Sequence, residues 1–150
     1  MAVIEDAEAI IFDLRMCRGG APDMVHFITS YLYGDEPFHL LTYHHARAEP
    51  DSAYTLSEVP GRRRPDVDAY VVTSRFTGSG GEEFTHNLKH HGRATVVGET
   101  TAGASLVRGT IRLLHPAIKK SNKAIRPTSS QRPSRSMGKG LSRAVVMETP

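Results

Sequence analysis

One hundred and fifty residues, 39% of them hydrophobic, suffice for one modest core and little more. The single cysteine, Cys17, excludes an internal disulfide framework and a cysteine-based zinc site, no run reaches the length of a membrane span, and no basic-then-apolar leader opens the chain. The pI of about 9.2 suggests a polyanionic partner, but residues 1–99 hold 15 acidic against 9 basic side chains, whereas residues 100–150 hold 10 basic against one acidic. The basicity thus belongs to the last third alone.

Ala9-Ile10-Ile11-Phe12-Asp13-Leu14 is a near-continuous apolar run of strand length, the pattern of a strand covered on both faces. It runs into Arg15-Met16-Cys17-Arg18-Gly19-Gly20, a loop ending in paired glycines. Pro22 and Asp23 then start a helix, in which Met24, Phe27, Ile28, Tyr31 and Leu32 recur with helical period. Gly34 stops it. A second strand is expected over Phe38–Tyr43, followed by a polar surface excursion with Pro50, Pro60, Gly61 and three arginines. Ala69–Thr73 reads as a third strand, Glu82–His91 as a helix with Phe84 and Leu88 inward, and Ala94–Val97 as a fourth strand. Strands alternating with helices predict an α/β domain with a mainly parallel sheet, spanning residues 1–110.

The remaining residues, 111–150, differ in composition. KKSNKAIRPTSSQRPSRSMGKGLSR is rich in Ser, Arg, Lys and Pro with almost no apolar period, so it is expected to be a disordered, low-complexity tail that adds nothing to the core. Its cations carry no interleaved aromatics for base stacking and lie beside an acidic domain, so no nucleic-acid partner is expected. The eight histidines include no H-E-x-x-H, and the pairs His44-His45 and His90-His91 diverge on any regular element. No metal or other cofactor is expected.

The stretch TSRFTGSGGEEF, Thr73–Phe84, lies where a strand hands over to a helix, the end of an open α/β sheet that holds ligand sites. A dinucleotide fingerprint fails because Glu83 stands at its third glycine, and a P-loop fails for want of Gly-Lys-Ser/Thr. The G-x-S-x-G elbow fails by one residue, Thr77. Ser79 is left at the mouth of a helix with backbone N–H groups free to hold an oxyanion. The plainer alternative is a capping box, Ser79 with Glu82, which spacing alone favours. Gly19-Gly20, also just past a strand, could meet Ser79 across one crevice.

IIFDLRMCRGG, PDMVHFITSYLYGDEP and YVVTSRFTGSGGEEFTHNLKHHGRATVVGETTAGAS, taken together, resemble the S41 serine peptidases. These are the tail-specific and C-terminal processing proteases, and the likeness lies nearest the branch related to interphotoreceptor retinoid-binding protein and the tricorn core. It runs from about Ala9 to Ser105. The resemblance implies a ClpP/crotonase-like α/β fold, present in part, with Ser79 as nucleophile. Gly80 would supply one oxyanion N–H and Gly19 or Gly20 the other. Asp13 and Arg15 would anchor the first loop, and Glu99 would lie near the site. A peptide or protein substrate is implied, cleaved at extended or C-terminal segments through an acyl-enzyme. A non-catalytic peptide- or ligand-binding member of the same fold is the alternative. An oligomer is compatible with the resemblance, and the full-length family implies an extracytoplasmic or secreted setting.

The departures are specific. Cys17 replaces the usual asparagine of the first loop, and Gly78 stands where a bulky residue commonly precedes the serine. The processing branch places a lysine base 25 residues after the serine, where this chain has Ala104; the tricorn-like branch takes a histidine from an upstream domain, which this chain is expected to lack. His86, His90 and His91 read as a polar helix face and last turn. The family's N-W-E-G-x-G-V-E-P-D segment is missing, and Gly138–Met147 is compatible with an out-of-register reading of a sequence like GKGVEPxRGNG. The chain is therefore expected to be a fragment with a frameshifted tail, and to be inactive by itself.

Overall fold

The computed structural model of the protein describes residues 6–45, 48–104, 111–112 and 144–148. Seven strands and two helices follow one another in chain order among these residues. β1 spans Ala9–Asp13, α1 Pro22–Ser30, β2 His39–His45, β3 Asp51–Tyr54, β4 Asp68–Thr73, α2 Gly80–His90, β5 Thr95–Gly98, β6 Ile111–Arg112 and β7 Ala144–Glu148. The main sheet has the order β5-β4-β1-β7, with every neighbouring pair parallel. A smaller sheet, β3-β2-β6, is antiparallel. The expected α/β class with a mainly parallel sheet is what is found.

β1 is apolar up to its last residue, Asp13, because it lies inside the sheet, with Ala9 and Ile10 wholly buried and Phe12 nearly so. α2 covers it: Phe84 and Leu88 are buried as their spacing predicts, and the Phe84 ring meets Phe12 edge-on with centroids 4.9 Å apart. Such a pair contributes about 0.5–1.5 kcal/mol beyond its buried area. α1 buries Val25 and Thr29 and packs Ile28 against the core, and Tyr31 and Leu32 just beyond its end are buried as the period predicts, while Met24 is 54% exposed.

Two stretches depart from the expectations. The polar excursion after β2 contains β3, a strand in which Ala53 alone is buried; it returns antiparallel along β2 from Tyr43 to His39. The arginines that follow fold back onto the domain. Arg64 is buried and donates to the Ala7 carbonyl at 2.8 Å, and Arg63 donates to the Ser30 carbonyl at 2.7 Å. Carbonyls at strand and helix ends need donors, and a guanidinium can serve several at once. Within the region expected to be an unstructured tail, the described residues are β6 and β7, and both are strand. AVVME is the one apolar, β-branched run in that region, and it pairs in parallel with the free edge of β1. The rest of the expected tail lies outside the described residues. No helix among the described residues is long and apolar enough to cross a membrane.

Candidate active site

Because β1 and β4 are adjacent and parallel, the loops at their C-terminal ends emerge side by side. Those loops are residues 14–20 and 74–79, the two that carry the glycines. They are stitched together along their length. Thr77 Oγ1 donates to the Leu14 carbonyl at 2.7 Å, the Ser74 hydroxyl donates to the Arg15 carbonyl, and the Gly78 N–H donates to the Cys17 carbonyl at 3.0 Å. The first loop is anchored below by Asp13, whose carboxylate takes the Arg15 guanidinium through two nitrogens and the Arg15 N–H at 3.1 Å. The Arg15 hydrogen bonds hold the Asp13 carboxyl below its usual range against the opposing effect of burial.

The stitching brings Ser79, Gly80, Gly19 and Gly20 to one point. A Cβ on Gly19 would stand 2.9 Å from Ser79 Cβ and 3.3 Å from Ser79 Oγ; a Cβ on Gly80 would stand 2.8 Å from the Gly20 carbonyl oxygen. Side chains at either position would force the loops apart. Gly78 is under no such constraint, since the nearest atom to its would-be Cβ, the Arg18 carbonyl oxygen, is 3.6 Å away. The Cys17 thiol is buried beneath the crossing, directed at the Gly19 carbonyl 3.6 Å away.

Ser79 is exposed between two buried glycines, and it is the one non-glycine residue with positive φ among those described, at φ 50° and ψ −120°. Such a conformation costs about 1–3 kcal/mol and persists only where neighbours enforce it. The capping alternative is realised through the backbone and Glu82. The Ser79 N–H donates to Glu82 Oε2 at 3.0 Å, the Ser79 carbonyl accepts the Glu82 and Glu83 N–H groups, and the Ser79 side chain faces the Glu82 N–H as the other half of the capping box. The N–H groups of Gly19, Gly20 and Gly80 donate to no acceptor among the described residues. An exposed serine beside unpaired N–H donors suits attack on a carbonyl and retention of the resulting oxyanion.

A stability measurement separates strain from capping. Ser79→Ala is expected to change the unfolding free energy by less than about 0.5 kcal/mol, where loss of a capping side chain would cost about 1. Ser79→Gly is expected to stabilise by about 1 kcal/mol, because glycine relieves the positive φ but is more flexible when unfolded. Urea denaturation of the three proteins measures both differences.

Three supporting residues carry more of the geometry than their spacing disclosed. Glu82 is buried, and besides Ser79 it accepts from the Gly103 N–H at 2.5 Å and the Ala104 N–H at 2.7 Å, tying the serine turn to the segment after β5. Thr77 is fully buried; its hydroxyl also accepts the Ser74 N–H at 3.0 Å and its carbonyl the Ala102 N–H at 2.9 Å. A threonine where an elbow would have glycine is therefore a fastener. Glu99 accepts the Arg75 N–H at 3.1 Å, while its own N–H and carbonyl bond Thr73.

No side chain among the described residues hydrogen-bonds Ser79 Oγ. His91 caps α2 with Nε2 3.0 Å from the Leu40 carbonyl, and the rings of His86 and His90 stack along the helix. Overlooked in the sequence, His26 pairs through Nε2 with Glu83 Oε1 at 3.1 Å, and the Tyr43 hydroxyl donates to the same oxygen at 3.0 Å. Burial, and then the Glu83 charge, raise the Tyr43 hydroxyl well above the ordinary phenol range. Among the described residues no group of three or more His, Cys, Asp or Glu side chains is placed to hold a metal ion.

The model of peptidase family S41 matches residues 1–141. Among solved structures the fold is similar to that of a protein from Parabacteroides merdae provisionally described as a peptidase. The two are 24% identical with a TM-score of 0.55, over 65% of this chain and 32% of the other. It is also similar to a photosystem II D1 C-terminal processing protease, at 20% identity and a TM-score of 0.54, over 65% of this chain and 24% of that one. The matched region thus spans about a third and a quarter of those two proteins.

Proposed function

The chain belongs to peptidase family S41, and from that premise we propose that its chemistry is serine-type hydrolysis of peptide bonds, with Ser79 as the nucleophile. Ser79 Oγ attacks the carbonyl carbon and gives up its proton to solvent, which returns one to the leaving amine. The carbonyl oxygen becomes an oxyanion, accepting the Gly80 N–H and that of Gly19 or Gly20. Collapse expels the protonated amine and leaves an acyl-serine, which water hydrolyses. The substrate class is an extended peptide or protein segment, which can approach Ser79 where it stands exposed at the junction of the two loops. What carries the reading is Ser79 itself, exposed, held at positive φ, and set against glycines with unpaired N–H groups.

A fluorophosphonate probe tests it. Labelling should fall on Ser79, located by mass spectrometry of the tryptic peptide, and vanish in Ser79→Ala. It should also be slow, since no described side chain takes the serine proton, and general-base help is typically worth about 10²–10⁴-fold. That same lack favours a second reading, a non-catalytic member of the family that binds peptides at this surface. Peptide binding with no labelling of Ser79, even at high probe concentration and high pH, would establish the second over the first.

A further inference from the structure

The two halves of the site are carried on the leading ends of two helices. Gly19 and Gly20 come just before Pro22, the first residue of α1, and Ser79 directly precedes Gly80, the first residue of α2. How closely the glycines approach the serine therefore depends on how α1 lies against α2. The tolerance is small, since a Cβ on Gly80 would stand 2.8 Å from the Gly20 carbonyl oxygen. A polar clamp joins the helices near these ends. His26, in the second turn of α1, and Glu83, in the first turn of α2, meet at 3.1 Å, with side chains only 14% and 13% exposed. An ionised carboxylate only accepts, so His26 Nε2 is the donor. Tyr43 of β2 donates to the same Glu83 oxygen at 3.0 Å. Burial and the Glu83 charge hold the Tyr43 proton well above the ordinary phenol range, so this hydroxyl is still a donor in alkaline solution.

Glu83 also reaches the serine through its backbone, where its N–H donates to the Ser79 carbonyl at 3.0 Å. The neighbouring Glu82 ties the same turn to Gly103 and Ala104. Two adjacent glutamates thus brace the turn from different sides, Glu82 toward the segment after β5 and Glu83 toward α1 and β2. Hydrogen bonds to an ionised acceptor are shorter and stronger than neutral ones, so two donors on one largely buried carboxylate oxygen make a stiff contact. We propose that His26 and Tyr43 are positioning residues for Ser79. Acting through Glu83, they fix the approach of α1 to α2, and with it the placement of the Gly19, Gly20 and Gly80 N–H groups against the serine. The inference rests on Ser79 being the nucleophile for its effect on rate, whereas the placement of the glycines is measurable without any reaction.

The test pairs the rate of fluorophosphonate labelling at Ser79 with heteronuclear NMR spectra of the backbone amides, both recorded on the full chain below the melting midpoint of every variant. Tyr43→Phe removes one donor and His26→Leu the other. Each is expected to slow labelling of the folded protein about tenfold or more, given that a misplacement of about 1 Å can cost about 10²-fold. Each should also shift the amide signals of Gly20 and Gly80. His26→Gln, whose amide can present an N–H near the place of Nε2, should recover most of the lost rate. Adding His26→Leu to Glu83→Ala should slow labelling no further than Glu83→Ala alone, because the histidine acts only through that carboxylate. If circular dichroism shows that His26→Leu does not fold, Tyr43→Phe, alone and with Glu83→Ala, carries the test. A lowered melting midpoint with labelling rate and glycine signals unchanged would make the clamp merely structural and overturn the proposal. Equal slowing by His26→Gln and His26→Leu would overturn it too. Glycine signals that shift in the variants, while Ser79 is never labelled in the parent, overturn the nucleophile and leave the clamp standing; steady glycine signals with Ser79 labelled at the parent rate do the reverse.

Discussion

Replacing Ala104 by lysine is expected to raise the rate at which Ser79 is phosphonylated by about 10²–10⁴-fold at alkaline pH, the usual worth of a positioned general base. The Ala104 N–H donates to Glu82 Oε2, the same oxygen that accepts the Ser79 N–H, so one atom separates the two backbones. Position 104 is also only partly buried, which leaves room for a longer side chain. A lysine stem there has the reach to bring its amine to the serine hydroxyl. Only the neutral amine accepts a proton, and an unperturbed lysine titrates near pH 10.4. The gain should therefore shrink about tenfold for each unit the pH falls below the new amine's pKa, which gives a rate profile that Ala104→Met, of similar length and no charge, cannot reproduce. A flat profile, equal to that of Ala104→Met, would mean that position 104 does not face the hydroxyl.

Removing the Glu82 carboxylate is expected to cost about 3 kcal/mol of stability, far more than its place in a surface capping box would suggest. A cap is worth about 1 kcal/mol. Here three backbone N–H groups, from Ser79, Gly103 and Ala104, converge on one buried carboxylate. Hydrogen bonds to a charged acceptor contribute about 1.5–3 kcal/mol each, less wherever water can replace them. In Glu82→Ala all three donors lose their partner. In Glu82→Gln one oxygen remains, and the new NH2 faces donors instead of accepting from them. For a chain of this size the melting midpoint should fall by about 6–12 °C. The same carboxylate helps hold Ser79 at positive φ, so phosphonylation should slow at temperatures where the variant is still folded. A midpoint within a degree or two of the parent would show that water serves these donors equally well.

Local pattern made much of the fold legible. The apolar run at Ala9–Leu14, the period from Pro22 onward and the Phe84/Leu88 spacing each describe a segment whose burial is decided by its own residues. β3 was not legible, because DSAY after Pro50 buries only Ala53 and acquires strand geometry from β2. β7 was hidden by its surroundings, as the short apolar run Ala144–Met147 before Glu148, inside a basic, proline-containing region. At the site, the glycines and Ser79 stood out by composition, but their meeting depends on β1 and β4 being neighbours, which no spacing within either loop expresses. The reach of Glu82 to Gly103 and Ala104 and the fastening by Thr77 were invisible for the same reason. Their partners lie on other loops, and S-x-x-E reads identically whether its glutamate serves one N–H or three.

The position of β1 between β4 and β7 sets a schedule for synthesis. Ala9–Asp13 leaves the ribosome before either partner, and it pairs on one side with Asp68–Val72 and on the other with Ala144–Glu148. At about 5–20 residues per second, several seconds pass between the arrival of the first partner and the second. Through that interval the nascent chain carries an apolar strand with one row of N–H and C=O groups unclaimed, a template for any other strand that meets it. Closing the pair also joins segments far apart in sequence, which makes it slow in entropic terms. A growing polypeptide built this way depends on being shielded until β7 is made.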